Sequence, residues 1–171
     1  MVMEYREIRY QFGSLDSITP ETFGEPGNRT FRLSLTVGGN TGVVWLEKEQ
    51  LFELAKYFEG LCNDNPDRQD DLGFRECLLD DDYQPVEFKC RQISVNFEKD
   101  NDTFYVECRE EGETIDDTSS LNFYISGSQA LQFSELGIQI CESGRPICPL
   151  CHNPIDPDSH FCPKSNGHSK L

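Results

Sequence analysis

A chain of 171 residues, 36% hydrophobic and 27% charged with twelve phenylalanines, is long enough to bury a core and too aromatic to stay unfolded. Its formal net charge of −16 repels phosphate polymers and argues against general nucleic-acid affinity. The opening MVMEYREIRYQF holds no apolar run, so neither a signal peptide nor a membrane span is expected, and the cytoplasm is the expected compartment.

Ile8, Tyr10 and Phe12 alternate with polar neighbours and predict a first strand with one buried face. In TFGEPGNRTF, Pro26 fixes φ at one turn position and Gly27 supplies the positive φ that a type II turn wants next, so a tight reversal is expected. Leu33, Leu35 and Val37 mark the next strand, and VVWLE at 43–47 another, with a Gly-Asn hairpin signal between them. Leu51, Phe58 and Cys62, with Leu54, Ala55 and Leu61 beside them, recur at helical spacing and predict a helix over 48–62.

Residues 63–88 are heavily acidic and broken by Pro66, Gly73 and Pro85. No calcium loop fits them, because Pro66 and Arg68 fall where ligands or glycine are required; a solvated, partly mobile loop is expected. Three more alternating sets follow: Ile93, Val95 and Phe97; Phe104, Val106 and Cys108; Leu121, Phe123 and Ile125. A second helix is predicted over 128–142, from a serine cap to the neighbourhood of Gly144.

The order is therefore three strands and a helix, twice over. Aligning 43–62 on 122–141 keeps Gln50 opposite Gln129 and Cys62 opposite Cys141 as identities. A βββα pseudo-repeat is one reading, and the general likeness of any two strand-helix units is the other. Six half-buried strands and two amphipathic helices are best satisfied by an α+β domain over residues 1–143, a two-layer antiparallel sheet with both helices on its apolar face.

The tail, 144–171, is a separate unit carrying about +1, from Arg145, Lys164 and Lys170 against Asp156 and Asp158. It contains all three histidines. In a reducing compartment clustered cysteines point to metal ligation or redox chemistry, whereas the scattered Cys62, Cys77, Cys90, Cys108 and Cys141 are expected mostly in the core. Cys148 and Cys151 have the Cys-x2-Cys spacing that aims two thiolates at one tetrahedral ion, and His160 and Cys162 project to one side of an extended segment. The four make a closed, structural Cys3His zinc site, for which His168 is an alternate ligand. Redox use of Cys148 and Cys151 fits poorly, because Pro154 and Pro157 replace the helix that lowers a thiol pKa. Zinc is the one cofactor expected.

Residues 1–143 hold no histidine, so a general acid or base must be found among carboxylates. The best constellation is the GEPGNR turn, where Glu25 and Arg29 can face Glu47, Lys48 or Gln50 as a ligand or partner surface. Against it stands a plain hairpin with an exposed ion pair, which is worth little.

Four blocks, GEPGNRTF (24–31), LEKEQ (46–50), GRPICPLC (144–151) and HFCPKSNG (160–167), resemble in order and spacing the bacterial family known as domain of unknown function 3090. The resemblance runs from about residue 10 to the end and is poorest in the acidic middle. It implies metal ligands at Cys148, Cys151, His160 and Cys162. The chain departs from the family at His152, where glycine is usual, at His168, where an aromatic is usual, and in a second helix poorer in arginine. The expectation from the residues is a non-enzymatic interaction module with a structural zinc tail and an unidentified protein partner. Ligand binding or catalysis at GEPGNR and nucleic-acid binding through the tail are the alternatives.

Overall fold

The computed structural model describes residues 6–25, 27–66, 68, 73–79, 85–111, 117–143 and 149–151. Along the chain come β1 (Arg6–Ser14), β2 (Ser17–Phe23), β3 (Thr30–Val37), β4 (Asn40–Leu46), α1 (Lys48–Asp64), β5 (Val86–Lys89), β6 (Gln92–Glu98), β7 (Thr103–Glu111), β8 (Asp117–Ser126) and α2 (Gly127–Glu142). The strands form two four-stranded sheets: sheet I in the order β2-β3-β4-β5 and sheet II in the order β1-β8-β7-β6. In each, three consecutive strands pair antiparallel and a fourth joins in parallel, β5 beside β4 and β1 beside β8.

The α+β class is as expected, but the single antiparallel sheet is replaced by two mixed ones. Alternation reports that a strand has one buried face and says nothing about which neighbour it takes. The parallel pairs join distant stretches, Gly42 with Val86 and Arg6 with Asp117. Two strands escaped the periodicity reading. Pro20 interrupts the apolar alternation of β2, and β5 is four residues long at the end of an acidic run.

Both sheets turn apolar faces inward to one core. Leu33, Leu35 and Val44 of sheet I, Val106, Leu121 and Phe123 of sheet II, and Leu51 and Phe58 of α1 are fully buried. Phe58 meets Phe104 of β7 and Phe133 of α2 edge-on, at centroid distances of 4.9 and 5.7 Å. Each such side chain contributes about 1.5–3 kcal/mol by leaving water. Cys62, Cys90, Cys108 and Cys141 are buried here, as expected of small apolar residues, while Cys77 is half-buried.

The helix starts are tied to the sheet corners by matching bonds. Gln50 accepts from Glu47 N (2.8 Å) and donates to Arg91 O (2.8 Å), joining α1 to the corner between β5 and β6. Gln129 accepts from Ser126 N (2.8 Å) and donates to Leu15 O (3.0 Å), joining α2 to the corner between β1 and β2. Cys62 Sγ lies 3.7 Å from Gly127 O at the start of α2, and Cys141 Sγ 3.9 Å from Lys48 O at the start of α1. Asp102, in the left-handed region at φ 48° and 1% exposed, bonds Arg68 (3.2 Å) and accepts from Gly127 N through its carbonyl (2.7 Å). Arg68 also donates to Cys62 O, closing the end of α1.

The turn at GEPGNR has the expected form: Gly27 has φ 90° and Asn28 N donates to Glu25 O (2.9 Å), with Pro26 outside the described residues. The other hairpin is displaced by one residue from the Gly-Asn pair, because Asn40 already pairs with Val37 and the turn is Gly38-Gly39.

The acidic middle differs most from expectation. Residues 73–79 are docked along the edge of β1, with Ser14 N donating to Arg75 O (3.1 Å), Leu78 N to Gln11 O (2.9 Å) and Ser14 Oγ to Gly73 O (2.9 Å). The strand bulges there, between Gln11 and Ser14. Gly13, at φ 71°, is the bulge residue, and a β-carbon on it would stand 2.3 Å from Arg75 O and 2.5 Å from Glu76 O. Glycine alone allows the docked segment to approach the strand this closely. Residues 67, 69–72 and 80–84 of the predicted loop lie outside the described residues.

Candidate ligand pocket

The outer face of sheet II is a pocket of ≈ 310 Å³ roofed at one side by the 73–79 strap. That volume is at the small end of the range for small-molecule sites. Strand register arranges its floor in rows. Arg9 of β1, Ser120 of β8 and Arg109 of β7 lie abreast, because Arg9 and Arg109 are both the register partners of Ser120. The next row is Gln11, Asn122 and Glu107, and the third is Tyr124 with Tyr105. Adjacent strands lie about 4.8 Å apart and next-but-one residues about 6.6 Å, so each row is within one small molecule's reach of the next.

The electrostatics of this face invert those of the chain. Three arginines, Arg9, Arg75 and Arg109, line the pocket against two glutamates, Glu76 and Glu107, in a protein where acids outnumber bases 31 to 15. Arg109 is held by Glu107 (3.0 Å) and Arg75 pairs with Glu98 (3.6 Å), while the Arg75 guanidinium lies 4.0 Å from the Tyr124 ring centre. Tyr105 and Tyr124 stand 4.9 Å apart at 49°. Burial pushes the Tyr105 phenol up, Glu107 and Tyr124 adding to the shift against Arg9 and Arg109, so it stays a neutral donor near pH 7.

Ser120 is the informative residue. It is 5% exposed, and its hydroxyl has no hydrogen-bond partner among the described residues. Buried polar groups are nearly always satisfied, and one left open at the floor of a cavity, between two guanidinium-bearing side chains, marks a place for a ligand acceptor. A second groove of ≈ 430 Å³ separates α1 from β6, where Leu54, Tyr57, Ile93 and Val95 give it an apolar lining.

Of the residues singled out at GEPGNR and beyond it, Arg29 and Gln50 make bonds within the fold. Arg29 donates to Ile140 O (3.0 Å) and Ser143 Oγ (3.3 Å) at the end of α2, where a cation complements the open carbonyls. Gln50 is committed to the α1 cap and the Arg91 carbonyl. The Lys48 carbonyl faces Cys141, so Arg29 and Lys48 stand where α2 ends and α1 begins; Glu25 and Glu47 are exposed. Of the metal residues, Cys151 is half-buried in a turn, and Cys148, His160, Cys162 and His168 lie outside the described residues. Among the described residues no three His, Cys, Asp or Glu side chains converge as a metal site, and no helix is long and apolar enough to cross a membrane.

The pocket residues were not reachable by pattern alone, because their adjacency depends on the parallel pairing of β1 with β8. One signal was available: a glycine inside an alternating strand, as in YQFGS, marks a bulge or a close backbone approach.

No curated protein and no solved structure matches the chain. A family model does match it, over residues 10–162, and the chain belongs to that family, described as protein of unknown function (DUF3090).

Proposed function

We propose that this protein binds a small anionic molecule on the outer face of sheet II. The observation that carries the reading is the buried, unpartnered Ser120 hydroxyl flanked in register by Arg9 and Arg109. Guanidinium groups bind carboxylate and phosphate oxygens with short, charge-assisted bonds, and the hydroxyl between them supplies a third donor. The experiment is a calorimetric titration of the full chain with inorganic phosphate. Arg9→Gln combined with Arg109→Gln weakens binding more than tenfold, as loss of charge-assisted bonds requires, and Ser120→Val weakens it severalfold. Unchanged phosphate affinity in the double variant refutes the location.

The tail closes around one zinc ion through Cys148, Cys151, His160 and Cys162. What supports this is the Cys-x2-Cys spacing together with a family match that runs to residue 162, taking in His160 and leaving out His168. Zinc would hold the C-terminal segment in place as a structural ion. One equivalent of zinc per chain, lost in Cys148→Ser, is the expected analysis; full zinc in that variant contradicts the ligand set.

The two halves of the domain are copies of one unit. Support comes from the shared strand directions of the sheets and from the Gln50/Gln129 and Cys62/Cys141 pairs, which make equivalent bonds to opposite corners and helix starts. A second functional reading, docking of a protein partner, is favoured by Phe74, 91% exposed on the strap beside Arg75. Phe74→Ser separates the two readings: it removes a co-purifying partner and leaves the phosphate titration as it was.

A further inference from the structure

We propose that the ligand of this pocket is a nucleotide-like molecule, a phosphate joined through a hydroxyl-bearing sugar to a flat ring, with a nucleoside monophosphate as its simplest form. The inference rests on the anion-binding reading above and adds the other two rows. The floor is graded along the strands. Cationic donors stand in the first row, amides and a carboxylate in the second, and aromatic rings in the third. About 13 Å separates the first row from the third, which is the strand rise taken over four residues.

A phosphate satisfies Ser120 and the two flanking guanidinium groups. Sugar hydroxyls, which donate and accept, suit Gln11, Asn122 and Glu107, a row that offers both kinds of partner. A lone inorganic anion or a short carboxylate leaves the third row without a role. That row is built as a shelf for a planar group. Tyr105 and Tyr124 meet at 49°, too steep to stack on each other flat, and the strap lays the planar Arg75 guanidinium on Tyr124. Bases stack on such tyrosine and arginine surfaces with little regard to their identity. The excess of negative charge over the rest of the chain opposes a nucleic-acid polymer while leaving a single nucleotide, whose charge is confined to one end, free to enter an arginine-lined pocket.

The test uses the full chain and three probes: inorganic phosphate, ribose 5-phosphate and adenosine 5′-monophosphate. The monophosphate is expected to bind at least about fivefold more tightly than ribose 5-phosphate, which is the lower end of base stacking worth about 1–3 kcal/mol. Tyr105→Leu and Tyr124→Ala abolish that difference and leave ribose 5-phosphate affinity within about twofold; retained affinity for the sugar phosphate also shows that the variants fold. Equal affinity for the two organic phosphates overturns the ring assignment alone, with the anion site intact. A base-dependent gain that survives both tyrosine variants overturns it too. Failure of all three probes to bind overturns the anion site and this inference with it.

Discussion

Sheets I and II share strand directions and both carry an arginine stacked on an aromatic ring on the outer face, and it is sheet II whose outer face forms the polar pocket described above. On sheet I the arginine belongs to the sheet itself. Arg32 of β3 lies 4.6 Å from the Phe23 ring and 5.4 Å from that of Trp45, its charge is met by Glu21 at 3.0 Å, and Trp45 Nε1 donates to Glu87 at 2.9 Å. Arg32, Glu21, Trp45 and Glu87 thus find their partners within the face. On sheet II Tyr105 and Tyr124 stand in register, and the arginine over Tyr124, Arg75, arrives from the strap. The cation comes from outside the sheet and packs on Tyr124, at the side of the pocket. One inserted glycine, Gly13, makes the difference, because the bulge it creates is where the strap docks. A scaffold can thus gain a pocket on one sheet without altering the core that both sheets share.

Variants that break one half and spare the other sharpen this comparison. The largest effect is expected at the helix ends. Asp102→Ala removes the buried carboxylate of an ion pair and leaves the part-buried Arg68 with only the Cys62 carbonyl of its two partners, costing about 3 kcal/mol in chemical denaturation. In the other half the corresponding contact is Arg29 on the last turn of α2, half-buried over the Phe31 ring, and Arg29→Ala costs about 1 kcal/mol. Equal losses from the two would remove the asymmetry drawn here.

Gly13→Ala comes next, at about 2 kcal/mol, because alanine is strained at φ 71° and its β-carbon meets the strap carbonyls. Its signature is local: cleavage within 73–79 under limited proteolysis rises and phosphate binding is lost, while far-UV circular dichroism is retained. A protected strap in this variant would show that Gly13 does not seat it. Gln50→Ala and Gln129→Ala each cost about 1 kcal/mol, and similar values from the two support the equivalence of the halves. Losses differing by more than about 1 kcal/mol count against it.

The smallest effect is on pH dependence. Burial raises the Cys62 thiol above its ordinary value of 9.0, Arg68 opposing the shift and Asp102 adding to it. A thiol harder to ionise when folded adds stability that is whole below pH 9 and is lost as pH rises past the unfolded value. Cys62→Ala therefore flattens the fall in stability as pH rises above 9. An unchanged slope in that window contradicts the assignment.

The helices were legible from Leu51, Phe58 and Cys62, and from Ala130, Phe133 and Cys141, because burial on one face imposes a period that no other arrangement mimics. Six strands were legible for the same reason. Pairing was not, since Arg6 and Asp117 carry no local mark of their meeting. The pocket inherits that opacity: Arg9, Ser120 and Arg109 become neighbours only through a parallel pair and an antiparallel one. GEPGNR, by contrast, was conspicuous as sequence because a tight turn and a helix-end cation each demand particular residues.

The most direct test of the account is amide chemical-shift mapping of the ¹⁵N-labelled chain during titration with inorganic phosphate. The prediction is that shifts centre on Arg9, Ser120 and Arg109, extend to the strap at Arg75 and Glu76, and leave Arg32 and Trp45 of sheet I unmoved. Shifts centred on sheet I or on the GEPGNR turn, or none at millimolar phosphate, would contradict it.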